Sequence, residues 1–163
     1  MSKVVTGRMS ADIEGDFVVF LIGMRLNRPW HVGKVFFVAR AMGRMLAYLA
    51  AHPEAGLLHA MGVLSPSGPL LIQYWRSPEQ LEAFTRDAHA PHHPAWKAWN
   101  RIGYQKPDVG IWHETYVVRA GDYECLYGNM PRFGLAKAAE HVPVERKGLT
   151  AAQRRGVAPA DQG

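Results

Sequence analysis

The chain has 163 residues, of which 48% are hydrophobic, with five Trp, one Cys and a formal net charge of +5. This length supports one folded domain with a real core, and the single Cys125 excludes an intramolecular disulfide and a cysteine-built metal cage. Part of the positive charge lies in the C-terminal tail rather than in a groove-reading motif, so nucleic acid is not expected as a partner.

Targeting and membrane signals are also not expected. The segment before Phe17 is polar and does not resemble a signal peptide. The longer apolar stretches are interrupted by residues such as Gly23, Arg40 and Arg44, which disfavours a membrane-spanning helix. These features predict a cytoplasmic protein with no membrane partner.

The first half of the chain predicts a strand, a helix and a hairpin. Residues 17–26 form a short apolar run that is typical of a strand buried on both faces. From residue 34 the apolar residues recur at helical spacing, until Pro53 ends the helix. Residues 57–64 and 70–75 then predict two strands joined by a tight turn.

A strong helix signal follows the hairpin. Ser77 is placed as N-cap, Pro78 as the first helical residue, and Gln80 completes a capping box. This second helix is expected to end near Pro91, and a third short helix is predicted over 94–102.

The last strand of the predicted core covers 111–118, and its alternation places Trp112 and His113 on opposite faces. Beyond it, 123–127 predicts a short edge strand and 128–131 a turn.

This β-α-β-β-α-(α)-β order predicts an α+β, ferredoxin-like fold with an antiparallel sheet and helices on one face. We expect an N-terminal arm over 1–16, the folded domain over 17–144 and a flexible tail over 145–163. The strands are apolar on both faces, whereas two helices cover only one. A two-fold homodimer with its sheets face to face is therefore expected, with either Phe17 or Phe20 in the interface.

Candidate catalytic groups gather between Trp75 and Trp99, where three histidines follow the second helix. His92 lies between two prolines, and a rigid loop there would present its imidazole as a proton acceptor or an iron ligand. His89 is the alternative for both roles, and His93 is ranked third. A non-haem facial triad with Asp87 is disfavoured, because clustering across Pro91 is not a typical ligand spacing.

Glu114 has two interpretations. A carboxylate buried on either face of its strand needs a partner, and an ion pair with Arg25 is the simpler reading. The alternative is a catalytic acid or base with a raised pKa. The residues predicted to contact a flat aromatic or porphyrin-like small molecule are Arg25, Trp75, Trp96, Trp112, His113 and Asn129.

Three motifs carry a family resemblance: WRSPEQLEAFTRDAHAPHHPAWKAWNR, GIWHETYVV and YECLYGNMPRFGLAKA. Over residues 17–144 the chain resembles a monooxygenase-like family of domains of unknown function in the dimeric α/β-barrel superfamily. The resemblance implies an oxygenase that acts on an apolar or aromatic substrate in a cavity between sheet and helices. It leaves the cofactor open between haem, with His92 or His89 as axial ligand, and none. The alternatives are a haem-dependent dehydratase and a non-catalytic module that binds haem or another small ligand.

Overall fold

The computed structural model describes residues 3–28, 32–87, 90, 93, 97 and 108–156. They form two compact units: one lies within Val18–Tyr116, and the other combines the described residues of Met1–Phe17 and Val117–Gly163. The strands and helices are β1 (Val5–Asp12), β2 (Phe17–Leu26), α1 (Val32–Ala51), β3 (Leu57–Ser65), β4 (Gly68–Trp75), α2 (Pro78–Arg86), β5 (Val109–Val118), β6 (Tyr127–Met130), α3 (Leu135–Ala138), β7 (Glu140–Pro143) and α4 (Ala151–Arg154). Within these described ranges, none of the helices combines the length and apolarity needed to cross a membrane.

The first unit is a four-stranded sheet with strand order β3-β4-β2-β5. Strand β4 pairs antiparallel with β2 on one side and with β3 on the other. Together with α1 and α2, the chain order is β-α-β-β-α-β, with β4 inserted between the two strands that α1 connects. The predicted α+β, ferredoxin-like fold is confirmed.

Local sequence signals explain the start of α2. The Ser77 hydroxyl accepts a hydrogen bond from the Gln80 backbone N–H at 3.2 Å, and Pro78 follows the cap as predicted. The helix buries Leu81 and Phe84. The predicted third helix over 94–102 lies almost entirely outside the described residues.

One apolar core joins α1 and α2 to the sheet. Its buried members are Val18, Met45, Leu49, Trp75, Leu81, Phe84 and Ala90. Phe20, Leu57 and Leu71 pack against this cluster, which identifies the helix-facing side of the sheet. We call this region the sheet–helix layer.

The opposite side of the same sheet follows from the register. Leu21 pairs with Ile72, and Ile72 pairs with Met61, so their side chains share one face. None of the three belongs to the core that α1 and α2 close. We call this side the open face; its residues are Val19, Leu21, His59, Met61, Val63, Leu70, Ile72, Tyr74, Trp112, Glu114 and Tyr116.

Phe17 and Phe20 both pack against other residues of the chain itself. Phe20 packs against the sheet–helix core. Phe17 is buried, and its ring lies edge-on to Tyr123 with the centroids 5.5 Å apart. The alternation of apolar residues along β2 was not enough to identify which of its side chains the chain itself covers.

The second unit is a three-stranded sheet with strand order β6-β1-β7. Strand β1 lies within the predicted arm 1–16 and pairs antiparallel with both neighbours. The predicted strand 123–127 and turn 128–131 were wrong, because residues 127–130 form β6. Strand β6 pairs with a partner more than a hundred residues away, so local turn chemistry did not identify it.

Side chains also tie this unit together. The Ser10 hydroxyl donates to the Cys125 carbonyl at 2.9 Å, and the Ala11 N–H points at the Cys125 sulfur at 3.3 Å. Cys125 is therefore engaged as an acceptor in a partly buried position.

Residues 145–156, within the predicted flexible tail, are held by specific contacts. Thr150 and Gln153 form a capping box at the start of α4. The buried Arg154 donates through Nε to Glu124 at 2.7 Å and through Nη1 to the carbonyls of Gly148 and Leu149. These bonds connect α4 to Glu124 and to the loop before the helix.

Candidate functional site

The sheet–helix layer brings an imidazole next to an apolar wall. His113 on β5 and Phe20 on β2 lie with their ring centroids 5.7 Å apart. Because Phe20 packs on the core, this contact places His113 on the helix-facing side. His113 is nevertheless exposed, so its imidazole is accessible at the edge of the layer.

The Trp75 side chain fills the interior of this layer. Its side chain is 0% exposed and its ring lies 5.5 Å from Phe84 on α2. The indole Nε1 donates to Gln73 Oε1 at 2.8 Å. Trp75 was predicted to contact a substrate, but the structure buries it in the core.

Gln73 is the polar residue of this layer that sequence reasoning missed. It is 1% exposed, and its register partners on the adjacent strands are Phe20 and Ala60. In the part of the chain that the structure describes, its Nε2 has no hydrogen-bond partner. The signal that was available is a glutamine at a helix-facing position of the otherwise apolar strand LLIQYW.

Glu114 and Trp112 lie on the face opposite His113. A Cβ on Gly23 would be 2.8 Å from the Trp112 indole, so the missing side chain of Gly23 makes room for that ring. Glu114 Oε2 accepts a hydrogen bond from the Tyr116 hydroxyl at 2.6 Å. This hydrogen bond, with the nearby negative charge, raises the pKa of Tyr116 above its usual value.

The expected ion pair between Glu114 and Arg25 is not among the contacts of the described residues. The carboxylate of Glu114 bonds to Tyr116 instead. Glu114 and Arg25 are both exposed, so neither charged side chain needs a buried counter-ion.

The other predicted site residues lie on different elements of the chain. Asn129 lies on β6 in the second unit, with a positive φ of 50°, and its Oδ1 accepts from the Gly7 N–H at 2.9 Å. His93 is half-buried, and its backbone N–H donates to the Ala90 carbonyl at 3.0 Å. The side chains of His89, His92 and Trp96 lie outside the described residues.

Metal binding has no support among the described side chains, since no three His, Cys, Asp or Glu groups within them are close enough to share an ion. Sequence reasoning had already disfavoured a metal triad around Asp87 and His93.

A surface groove of about 350 Å³ lies elsewhere on this unit and was not singled out from the sequence. Tyr48, His52, Glu54 and Phe84 are among its lining residues. His52 Nδ1 lies 2.8 Å from Glu54 Oε1, and this hydrogen bond lowers the pKa of Glu54. The groove is open to solvent and shares Phe84 with the sheet–helix layer.

His141 on β7 adds a pH-sensitive element to the second unit. Burial, with a smaller contribution from Arg132, lowers the pKa of its imidazole below 6.5. The folded state therefore binds the proton less readily than the unfolded chain, so stability is lost as the pH falls from about 6.5 toward the folded-state pKa. We expect His141→Gln to reduce the fall in unfolding free energy between pH 7 and pH 5. Urea unfolding at the two pH values tests this, and an unchanged fall in the variant would contradict it.

The strand order and the apolar layer beneath two helices define a ferredoxin-like α+β protein, the architecture of the dimeric α/β-barrel superfamily. The chain belongs to the Monooxygenase af470-like family, whose model matches residues 17–135. It is 31% identical over 150 residues to Monooxygenase af470 of Aspergillus fumigatus, with 79% of this chain and 53% of that protein covered. The chain thus spans about half the length of this relative. The family resemblance predicted from the three motifs is confirmed.

Proposed function

We propose that the protein is a homodimeric oxygenase that acts on a small apolar or aromatic molecule held in the sheet–helix layer. Membership of a monooxygenase-like family supports the reaction class. The observation that carries the location is the placement of His113 beside Phe20, close in register to the buried amide of Gln73. This arrangement offers an apolar surface for a ring together with groups that bind oxygen atoms and protons.

The reaction that suits such a site is the oxidation of a phenol or enol by O₂. A histidine takes the hydroxyl proton, and the resulting anion carries negative charge on a ring carbon. That carbon bonds to O₂; one oxygen remains on it as a carbonyl and the other leaves as water with two hydrogens of the substrate. For 1-naphthol the balanced product is 1,4-naphthoquinone plus water.

His92 is the first candidate for the base and His89 the second, as the sequence predicted. His113 and Phe20 are assigned to substrate contact, because they line the layer without a buried catalytic partner. Glu114 has no catalytic role in this proposal, since it lies with Trp112 on the open face, opposite the proposed substrate site. Haem remains the alternative source of oxygen chemistry, and its ligand would be His92 or His89, as the family resemblance implies.

The homodimer is proposed from the open face. A sheet of four strands spaced about 4.8 Å apart and about eight residues long measures roughly 19 Å by 26 Å, or about 500 Å² in projection. Side-chain relief raises this toward the about 800 Å² per partner of specific interfaces. At about 25 cal/mol per Å², burying two faces of about 500 Å² each gives on the order of 25 kcal/mol, which exceeds association costs of about 4–15 kcal/mol.

Oxygen uptake tests the proposed reaction. With 1-naphthol and its larger hydroxylated analogues, the wild-type protein is expected to consume O₂ and to release the quinone. His92→Ala should lower the rate by about a hundredfold or more, since general-base catalysis contributes that much. His52→Phe, which changes an imidazole of the surface groove, is the matched control and should keep the wild-type rate.

An absorption spectrum of the same samples distinguishes the two versions. A Soret band that disappears in His92→Ala or His89→Ala would support haem, whereas uptake by a colourless protein would support catalysis without a cofactor. Ligand binding with no uptake across the panel would contradict the oxygenase and favour a binding module.

A further inference from the structure

Gln73 has a buried side-chain amide whose oxygen is hydrogen-bonded and whose nitrogen, among the described residues, is not. It lies on β4, an interior strand of the sheet, and its side chain is on the helix-facing side with Trp75. In the described part of the chain, its Nε2 has no acceptor although the residue is 1% exposed. A buried donor without an acceptor costs about 1–3 kcal/mol, so the group needs an explanation.

The orientation of this amide is set by its neighbour. An indole N–H can only donate, so the atom of Gln73 that faces Trp75 Nε1 at 2.8 Å must be the carbonyl oxygen. Trp75 is immobilised in the core against Phe84 and cannot turn its N–H elsewhere. Rotating the amide would bring two donors together, so Nε2 is directed away from Trp75.

The neighbours of Gln73 within the described residues do not supply an acceptor. The register partners of Gln73 are Phe20 and Ala60, which carry no polar side-chain atom. Met42, Met45 and Leu46 of α1 pack on this side of the sheet, and Tyr48 also packs there but does not accept a hydrogen bond from Nε2. The amide supplies the acceptor that the Trp75 N–H needs, and its second group, Nε2, remains available for an acceptor that the described residues do not provide.

We propose that the Gln73 amide binds an oxygen acceptor of the ligand, a ring carbonyl or phenolate oxygen, in the sheet–helix layer. The ligand class is then an aromatic molecule with a keto or hydroxyl oxygen, rather than a plain hydrocarbon. This inference rests on the proposed location of the substrate and names its recognition group. In the oxygenase reaction, the same N–H would stabilise the negative charge on that oxygen after proton removal.

Two rigid tricyclic probes test the contact directly. 9-Fluorenone carries a carbonyl acceptor, and fluorene has the same ring frame without it. We expect the wild-type protein to bind 9-fluorenone about tenfold more tightly than fluorene by calorimetry, as one buried hydrogen bond of about 1.4 kcal/mol provides. In Gln73→Met this ratio should fall to about one through weaker fluorenone binding, with fluorene binding unchanged.

Two further variants keep the test decisive. Gln73→Leu also removes the NH₂ donor, with a side chain of different shape, so it should lose the fluorenone preference even if Gln73→Met folds poorly. Leu71→Met changes a neighbouring side chain of the same layer and should keep the preference. Ligand-free Gln73→Met should differ little in stability from the wild type, because it removes the unpaired Nε2 donor but leaves the buried Trp75 N–H without its acceptor.

Equal binding of the two probes by the wild type, binding of neither, or the same ratio in all variants would overturn the inference. An intact fluorenone preference without any O₂ uptake would instead contradict only the oxygenase reaction.

Discussion

Replacing Ile72 with aspartate is expected to convert the protein from a dimer into a monomer. Ile72 lies on interior strand β4, with Leu21 and Met61 as its register partners on both sides. A carboxylate there would lie at the centre of the proposed interface with apolar neighbours, where an unpaired charge costs several kcal/mol. Each 1.4 kcal/mol raises Kd tenfold, so a loss of about 4 kcal/mol weakens association roughly a thousandfold.

Sedimentation velocity at micromolar concentration measures this change. Leu64→Asp is the matched control: it puts the same charge on a neighbouring strand at a residue that is already 86% exposed and lies outside the open face. The control should remain dimeric. A wild-type protein that sediments as a monomer, or a dimeric Ile72→Asp, would contradict sheet-to-sheet dimerisation.

Elements with strong local signals were predictable from the sequence. The Ser77 cap and Pro78 identified the start of α2, and the apolar run 17–26 matched β2. These signals are short-range, because capping bonds and proline restrictions act within one turn of the chain. The element order that followed from them was sufficient for the fold class.

The second sheet could not be recognised in the same way. The buried residues of β1 are the adjacent Ser10 and Ala11 rather than an alternating apolar set, and its partners lie beyond residue 126. Its backbone hydrogen bonds, rather than an apolar pattern, make it a strand. Local pattern reasoning therefore assigned it to an arm and assigned β6 to a turn.

The sequence predicted which side chains of β5 share a face, but not which face of the sheet the helices cover. Alternation along β5 separated Trp112 from His113, as the structure shows. The pattern did not indicate which face the helices cover, since both faces of the sheet are apolar. Gln73 was overlooked because its significance depends on what surrounds the side chain, and a single strand sequence does not contain that information.

The largest expected loss of stability comes from removing the Trp75 side chain. Trp75 is fully buried, contacts Phe84 and belongs to the cluster that joins the sheet to both helices. Truncation of a buried aromatic residue to alanine costs about 3–5 kcal/mol through lost burial and the cavity that remains. It would also leave Gln73 Oε1 without its donor, which adds to the penalty.

Urea unfolding of Trp75→Ala should therefore show a loss of at least about 3 kcal/mol, whereas Phe36→Ala, at a residue 72% exposed on α1, should change stability by about 0.5 kcal/mol or less. Trp75→Phe separates the two contributions, because it keeps most of the ring volume and removes only the N–H that Gln73 accepts. We expect that variant to lose about 1–3 kcal/mol, since a buried acceptor is left without its donor. A loss below about 1 kcal/mol in Trp75→Ala would mean that the indole is not part of the core, and would return Trp75 to the substrate-binding role expected from the sequence.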